Sequence, residues 1–236
     1  MSADQTKIWA HFQNDGVDAF ADNTARLEFL CRQLRAGQRV LNIGVGNAAF
    51  ERMALAKGVD VWALDPDERT VERVRAALCL GSKAQVGFSQ AIPFPAEHFD
   101  VVVMSEVLEH LDDDTLKGTL LDVHRVLRAG GRFMGTVPAR ENLANSHVVC
   151  PGCGHHFHRW GHQRSFDATT LSRVLETAFR PETVRELFFV EWAHASWWRR
   201  LQGLIKKLLS WRNIGPYGAS RNLYFSAVKN AASTAR

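Results

Sequence analysis

The sequence predicts an α/β fold, a doubly wound and mostly parallel sheet between two helical layers, and three observations carry that prediction. Short runs of strand character alternate with helical periodicity from residue 39 to residue 137, the pattern of successive βαβ units. A glycine turn, Gly44-Val45-Gly46, joins one strand run to a helical stretch, so backbone there can approach a ligand where a side chain would collide. Val101-Val102-Val103-Met104 is continuously apolar, as a central strand covered on both faces must be. With 236 residues, 46% of them hydrophobic, the chain can bury one large core but is short for two, so residues 1–236 are read as one domain with insertions.

Along the chain, Leu27, Leu30, Cys31 and Leu34 share one helical face after the capping candidates Asp22, Asn23 and Thr24, giving a helix near 25–34. Strands are expected at 39–43, 60–64, 84–88, 99–104 and 131–137, with helices near 48–57, 67–80 and 114–128 between most of them. Asp112, Asp113 and Asp114 favour a helix start through capping and the helix dipole, and Gly130-Gly131 is read as the stop before the next strand. Past Asp167, a cap for a helix over 168–179, two more strands are expected at 184–192 and 222–228. No internal repeat or low-complexity tract breaks this order.

Composition narrows the classes of function. Met1-Ser2-Ala3-Asp4-Gln5 lacks a basic segment followed by an apolar one, and no uncharged apolar run approaches the roughly 20 residues that span a bilayer, so a cytoplasmic protein is expected. Four cysteines are too few for a disulfide scaffold at this length. Cys31 and Cys79 fall on helical faces and read as core residues, whereas Cys150 and Cys153 lie beside histidines and point to metal. The net charge is only +4, but nine Lys or Arg occur from Arg185 onward against Glu186 and Glu191 alone, so the basic excess is carried by the carboxy-terminal fifth.

The segment Val40 to Ala49, followed by Val61-Trp62-Ala63-Leu64-Asp65, has the layout of a nucleotide-type cofactor site. Asp65 ends the second strand, where a carboxylate can accept hydrogen bonds from two ribose hydroxyls. Gly44-x-Gly46-x-x-Ala49 also satisfies the dinucleotide fingerprint, so the turn alone leaves the cofactor open.

The signals that follow decide between cofactors: Ile92-Pro93-Phe94, Phe99-Asp100-Val101-Val102, Glu109-His110, Arg125-Val126-Leu127 and Gly130-Gly131. This series resembles the class I S-adenosylmethionine-dependent methyltransferases, closely over residues 36–138 and over 166–230 only in the order helix, strand, strand. The resemblance implies a Rossmann-like seven-stranded sheet with an antiparallel last strand, in a three-layer αβα sandwich. It also implies S-adenosylmethionine as cofactor, with Gly44 and Gly46 under its methionine and ribose parts and Asp65 on the ribose hydroxyls. Asn42, Pro66, Phe88, Ser89, Gln90, Ala91, Ser105 and Glu106 complete the expected cofactor set. Two positions depart from the family pattern. Asn42 stands where an acidic residue often begins the glycine motif, and Ala48 replaces the third glycine. Asn42 can accept a hydrogen bond but brings no negative charge toward the sulfonium. Phe88 and Ser89 stand where an acidic adenine ligand is common, which leaves Phe88, Gln90 and Ala91 as candidate adenine contacts.

Because the sulfonium already makes the methyl group electrophilic, the chain has to align an acceptor atom behind it and remove a proton where the acceptor is a hydroxyl. Glu106, Glu109 and His110 follow the fourth strand, at the carboxyl edge where ligands bind in open α/β sheets. The segment Ser105 to His110 resembles that of the ubiquinone-pathway O-methyltransferases, where the two glutamates and the histidine hold a divalent cation. His110 is thus open to three roles: general base, pocket wall or metal ligand.

Residues 139–165 form an insertion whose Cys150-Pro151-Gly152-Cys153-Gly154 has the form of a zinc knuckle, with Pro151 fixing the turn and Gly154 supplying a left-handed residue. Cys150, Cys153, His158 and His162 then make a Cys-x2-Cys-x4-His-x3-His set suited to structural zinc, with His155 and His156 as competing ligands. A loop without metal, its histidines serving the acceptor pocket, is the alternative. A second insertion, residues 193–218, contains Trp197, Leu201, Leu204, Ile205, Leu208 and Trp211 on one face of a helix over 197–212, with Arg199, Arg200, Lys206 and Lys207 away from it. Such a helix fits peripheral contact at the inner face of a membrane, a lid over the acceptor site or a dimer contact. The expected function is methyl transfer to oxygen or nitrogen of a small-molecule, lipid-linked or glycan acceptor. Nucleic acid is a weaker acceptor class, since neither an Asn/Asp-Pro-Pro-Tyr motif nor a Pro-Cys nucleophile occurs, and a non-catalytic binding role is the remaining alternative.

Overall fold

The computed structural model describes residues 24–189 and 221–230, together with Ile8 and His11. Helix α1 spans Thr24–Arg32, β1 Arg39–Ile43, α2 Ala49–Ala56, β2 Asp60–Asp65, α3 Glu68–Leu78, β3 Ala84–Val86 and β4 Phe99–Ser105. A 3-10 turn at Leu108–His110 leads to α4, Asp113–Val126, and β5, Leu127–Pro138. The short strands β6, His147–Val149, and β7, His156–His158, precede α5, Ala168–Glu176, and the final pair β8, Phe179–Phe188, and β9, Arg221–Lys229. The seven-stranded sheet has the order β3-β2-β1-β4-β5-β9-β8. Strands β1 to β5 pair in parallel, and β9 runs antiparallel to both β5 and β8. This is the doubly wound sheet with an antiparallel last strand that the sequence predicts.

Strand β4 shows why both faces must be covered. Val101 and Val103 pack on one side with Leu27 and Leu30 of α1 and Phe50 and Ala54 of α2. Val102 and Met104 pack on the other with Leu116, Leu120 and Val123 of α4 and Leu171 and Leu175 of α5. Alternate residues of one strand therefore enter two separate cores. Helix starts follow local chemistry: Asp67, Asp112 and Asp167 each accept a hydrogen bond from the backbone N–H three residues on, at 2.8, 2.8 and 2.7 Å, as N-caps do.

Several of the spaced motifs turn out to be structural ties. The Arg125 guanidinium donates to the carbonyls of Ile92 and Phe94 at 2.8 and 2.9 Å, fixing the Ile92-Pro93-Phe94 loop to α4. Asp100 accepts the Arg39 N–H at 2.7 Å and pairs with Arg128, tying β1, β4 and the start of β5 together.

The expected boundaries shift in three places. Helix α4 stops at Val126, and Gly130-Gly131 lie inside β5 rather than at the helix end. Strand β8 begins at Phe179, where a helix was expected, and carries Pro181 at a register shift; it is an edge strand, the one place where a proline without an N–H costs the ladder little. Cys31 is buried as expected, but Cys79 is exposed as the left-handed cap of α3. The basic segment 197–212 lies outside the described residues, and none of the described helices is long and apolar enough to cross a membrane.

Gly135 sits where β5 passes between β4 and β9, and a Cβ built on it would lie 1.7 Å from the Met104 carbonyl oxygen and 2.9 Å from Phe225 Cζ. Neither neighbour can retreat without opening the sheet. Gly135→Ala is expected to destabilise the protein by about 3 kcal/mol or more, the upper range of overpacking, read as a lowered denaturation midpoint at unchanged slope.

Candidate active site

The site begins where β1 and β2 end. Gly44 has φ +88 and its N–H donates to the Leu64 carbonyl at 3.0 Å. A Cβ on Gly44 would meet Val107 Cγ2 at 2.8 Å, so a side chain would fill the floor of the cleft. Asp65 is fully buried, its Oδ2 accepting the Val45 N–H at 2.8 Å and its Oδ1 the Asp67 N–H at 2.9 Å. One carboxylate thereby holds the loop after β1 against the loop after β2. Ala48 takes the left-handed conformation, φ 61, at the cap of α2, an arrangement that costs an alanine about 1 kcal/mol. That is the conformation a third glycine would supply.

A cleft opens above this turn, with Gly44, Asp65, Pro66, Phe88, Ser89 and His110 in its wall. Phe88 is 45% exposed, an aromatic ring at the rim. Ser89 is anchored to Thr119 by a 2.7 Å hydroxyl contact. Gln90 and Ala91, also expected in the cofactor set, are exposed and do not belong to the wall. Ser105 and Glu106 face the sheet instead: Ser105 Oγ lies 2.9 Å from Thr136 Oγ1, and Glu106 accepts from Asn222 at 3.0 Å with Arg26 3.7 Å away. Glu106 nevertheless has φ 57, backbone strain of the kind found at functional sites. Sequence reasoning missed Val107 and Leu111, which also line the cleft; both sit in an apolar stretch that reads as core.

Asn42 is buried below the turn, and its Nδ2 donates to Glu51 Oε1 of α2 at 2.6 Å and, at 3.4 Å, to the Gly44 carbonyl. Glu51 is fully buried, and its Oε2 has no hydrogen-bond partner. Burial pushes its carboxyl up to about 7, with the Asn42 hydrogen bond opposing and the Asp65 charge adding to the shift. Nothing in the helical periodicity of α2 marks Glu51, since its position belongs to the apolar face.

The acceptor side is built from histidines. The backbone N–H groups of Gln163 and Arg164 donate to the Glu109 carbonyl at 2.8 and 3.3 Å, and Arg164 Nε donates to the Leu111 carbonyl at 2.8 Å. These bonds press the 161–164 loop onto the 3-10 turn. The His110 and His162 rings consequently meet edge to face, 4.6 Å between centroids. His162 Nδ1 lies 2.5 Å from Glu141 Oε2, and His158 Nε2 lies 3.4 Å from Glu141 Oε1. The Nδ1 of His158 accepts the His162 N–H at 3.1 Å, which assigns the proton of neutral His158 to Nε2, facing Glu141. Glu141 thus bonds the His162 ring, while His158 Nε2 lies near it without a hydrogen-bond partner. Burial holds His110 well below the usual imidazole range, with His162 adding to the effect, so His110 is uncharged near neutrality. Glu109 is buried with both carboxylate oxygens unpartnered, and desolvation together with the Glu106 charge raises it well above the carboxylate range.

This geometry corrects the expected metal sets. The pairing of His147 with His158 and of Val149 with His156 places His158 at the base of the β6–β7 hairpin and the cysteines at its tip. Three residues of strand, about 10 Å, separate the two ends. The tip does form the expected turn: Gly154 has φ 71 and its N–H donates to the Cys150 carbonyl at 2.9 Å, and the backbone N–H groups of Cys153 and Gly152 lower the Cys150 thiol below its usual range. Yet Cys150 and Cys153 do not assemble with His158 and His162, so the four-residue zinc set does not fit. Among the described residues, ligand atoms lie within 4.8 Å of one another in two groups, Glu141 with His158 and His162, and Glu109 with His110 and His162. Glu106 joins neither group, so the trio implied by the ubiquinone-pathway resemblance is not brought together.

Comparison with known proteins gives the family. A methyltransferase domain family matches residues 11–178, and the chain belongs to that family. It is 32% identical over 121 residues to a ubiquinone biosynthesis O-methyltransferase of Aromatoleum aromaticum, covering 49% of this chain and 51% of that protein. It is 39% identical over 106 residues to the 27-O-demethylrifamycin SV methyltransferase of Amycolatopsis mediterranei, covering 42% and 38%. The chain thus spans about half or less of the length of these relatives. Its fold is similar to that of the 1,6-didemethyltoxoflavin-N1-methyltransferase of Burkholderia thailandensis, whose structure holds S-adenosylhomocysteine, with a TM-score of 0.65 at 19% identity over 96% of this chain and 87% of that one. An S-adenosylmethionine-dependent methyltransferase of Archaeoglobus fulgidus gives 0.61 at 19% identity over 95% and 99%.

The folded chain binds the Glu51 proton more tightly than the unfolded chain does, because its folded value lies above the usual 4.5. Its contribution to stability is therefore complete below about pH 4.5 and is lost as pH rises through about 7. Relative to wild type, Glu51→Gln is expected to gain about 3 kcal/mol at pH 8 and nothing comparable at pH 4.5, measured by urea denaturation at both pH values.

Proposed function

We propose that the chain is an S-adenosylmethionine-dependent methyltransferase acting on oxygen or nitrogen of a small-molecule or lipid-linked acceptor. The observation that carries this reading is the cleft whose floor is a glycine turn that admits no Cβ, whose one end is a buried aspartate and whose other wall is an uncharged histidine. Gly44 and Gly46 pass beneath the donor, Asp65 receives the ribose hydroxyls and Phe88 covers the adenine. The donor, when bound, supplies an electrophilic methyl group and leaves as a neutral thioether. His110 faces the acceptor from the cleft wall and takes the proton that the acceptor loses as its lone pair forms the new bond to carbon. His162, held by Glu141, packs edge to face against His110 and fixes the orientation of its ring. The names of the relatives, which describe quinone, rifamycin and toxoflavin chemistry, favour a small-molecule acceptor over a glycan or nucleic acid. A cytoplasmic location belongs to the same reading.

For zinc, we read the thiol turn at Cys150 and Cys153, with His155 and His156 at the same end of the hairpin, as the part of the insertion able to hold an ion. Elemental analysis should then find metal that is lost in Cys150→Ser with Cys153→Ser and retained in His158→Ala; a chain purified without metal would refute the site.

Titration calorimetry with S-adenosylmethionine should show Asp65→Ala weakening binding by about 1.5 to 3 kcal/mol, the scale of lost hydrogen bonds to a charged group; an unchanged affinity would remove Asp65 from the ribose. With an acceptor found by a methyl-transfer screen of metabolite and lipid extracts, His110→Ala should lower kcat by about 100-fold or more while the donor Kd stays nearly constant. Parallel losses in both would reduce His110 to a wall of the pocket.

A further inference from the structure

Position 42 carries an amide, but directly behind it stands an acid. Glu51 projects from the first turn of α2 into a fully buried place, 2.6 Å from Asn42 Nδ2, and its second oxygen has no hydrogen-bond partner. Its helix neighbours Phe50 and Ala54 belong to an apolar cluster, which gains nothing from a carboxyl. A buried carboxyl with a single hydrogen bond is costly, and a glutamine there would keep the bond geometry without the charge. The contact also fixes Asn42, whose N–H2 end faces Glu51 Oε1. The same N–H2 group reaches the Gly44 carbonyl, which places the pair immediately under the glycine turn.

We propose that Glu51 is a cofactor-positioning residue, acting through Asn42 to supply the negative charge that attracts the sulfonium and ammonium end of the methyl donor, in place of an acid at position 42 itself. The inference rests on the donor reading given above. Its electrostatics are specific. Asn42 on β1 lowers the carboxyl, Asp65 on β2 raises it, Arg52 on α2 lowers it, and the Cys31 thiol facing from α1 is pushed up to about 12 and stays neutral. In the empty protein burial raises the Glu51 carboxyl to about 7, so the proton is held below neutrality and released above it. A cation above the turn favours its release, so binding of the charged donor and ionisation of Glu51 support each other. The product, which lacks the sulfonium charge, profits less.

The test is calorimetry with S-adenosylmethionine and S-adenosylhomocysteine on wild type, Glu51→Gln and the double variant Asn42→Asp with Glu51→Gln. The expected result is that Glu51→Gln weakens S-adenosylmethionine about tenfold at pH 8 and S-adenosylhomocysteine less than about twofold, as a charge acting across a partly desolvated gap should. The double variant should restore the preference. In wild type the ratio of the two affinities should rise between pH 6 and 8, and in Glu51→Gln it should stay flat. Equal losses for both ligands, no loss for either, or a pH slope that survives in Glu51→Gln would overturn the proposal. Were Glu51→Gln unable to fold, the wild-type series alone decides, and a flat ratio overturns it. A wild-type chain that binds neither ligand defeats the donor reading itself, a separate result.

Discussion

The Asp65 carboxylate is the interaction on which the site depends. Its two oxygens accept backbone N–H groups from the loop after β1 and the loop after β2, so a single buried anion sets the spacing of the strand ends that the cleft lies across. Charged hydrogen bonds of this kind are about twice as strong as neutral ones. Here the burial that makes an unpaired carboxylate expensive also makes these bonds short and directional. The left-handed residues around it, Gly44, Gly46 and Ala48, follow from the same constraint, since the turn must double back within reach of a fixed acceptor.

The sheet was legible in the sequence because its strands are buried on both faces or alternate cleanly, and because the caps Asp67, Asp112 and Asp167 announce their helices. What escaped was governed by tertiary context. Phe179 to Pro181 look like a helix end followed by a break, and only the edge position of β8 makes a proline acceptable in a strand. Glu51 looks like an ordinary helix residue until α2 is docked against β1, when its carboxyl lands on Asn42. Of the expected cofactor residues, Gly44, Asp65, Pro66, Phe88 and Ser89 line the cleft. Gln90 and Ala91 were indistinguishable from them by spacing, because a loop's inward and outward residues follow no period.

The histidine-rich insertion misled for a related reason. Cys-x2-Cys-x4-His-x3-His is a spacing rule, and spacing cannot say whether the histidines lie on the same end of a hairpin as the thiols. Pairing of β6 with β7 decides it: His158 is opposite His147, at the closed base, and there it finds Glu141. The result is a cluster of one carboxylate and two imidazoles beside the cleft, drawn from residues that the spacing rule assigns to the thiols.

Among the described residues, the hairpin is fastened at its foot. Arg159 N–H holds the Ser146 carbonyl at 2.9 Å, Gln163 N–H holds Glu109, and His158 is buried against Glu141, while Val149, Cys153, His155 and His156 are open to solvent. The foot carries the imidazoles beside the cleft, and the tip carries none of its weight. Such an arrangement separates two mechanical roles: a change at the exposed tip leaves the contacts of the foot as they are, whereas a change at the foot displaces the imidazoles beside the cleft.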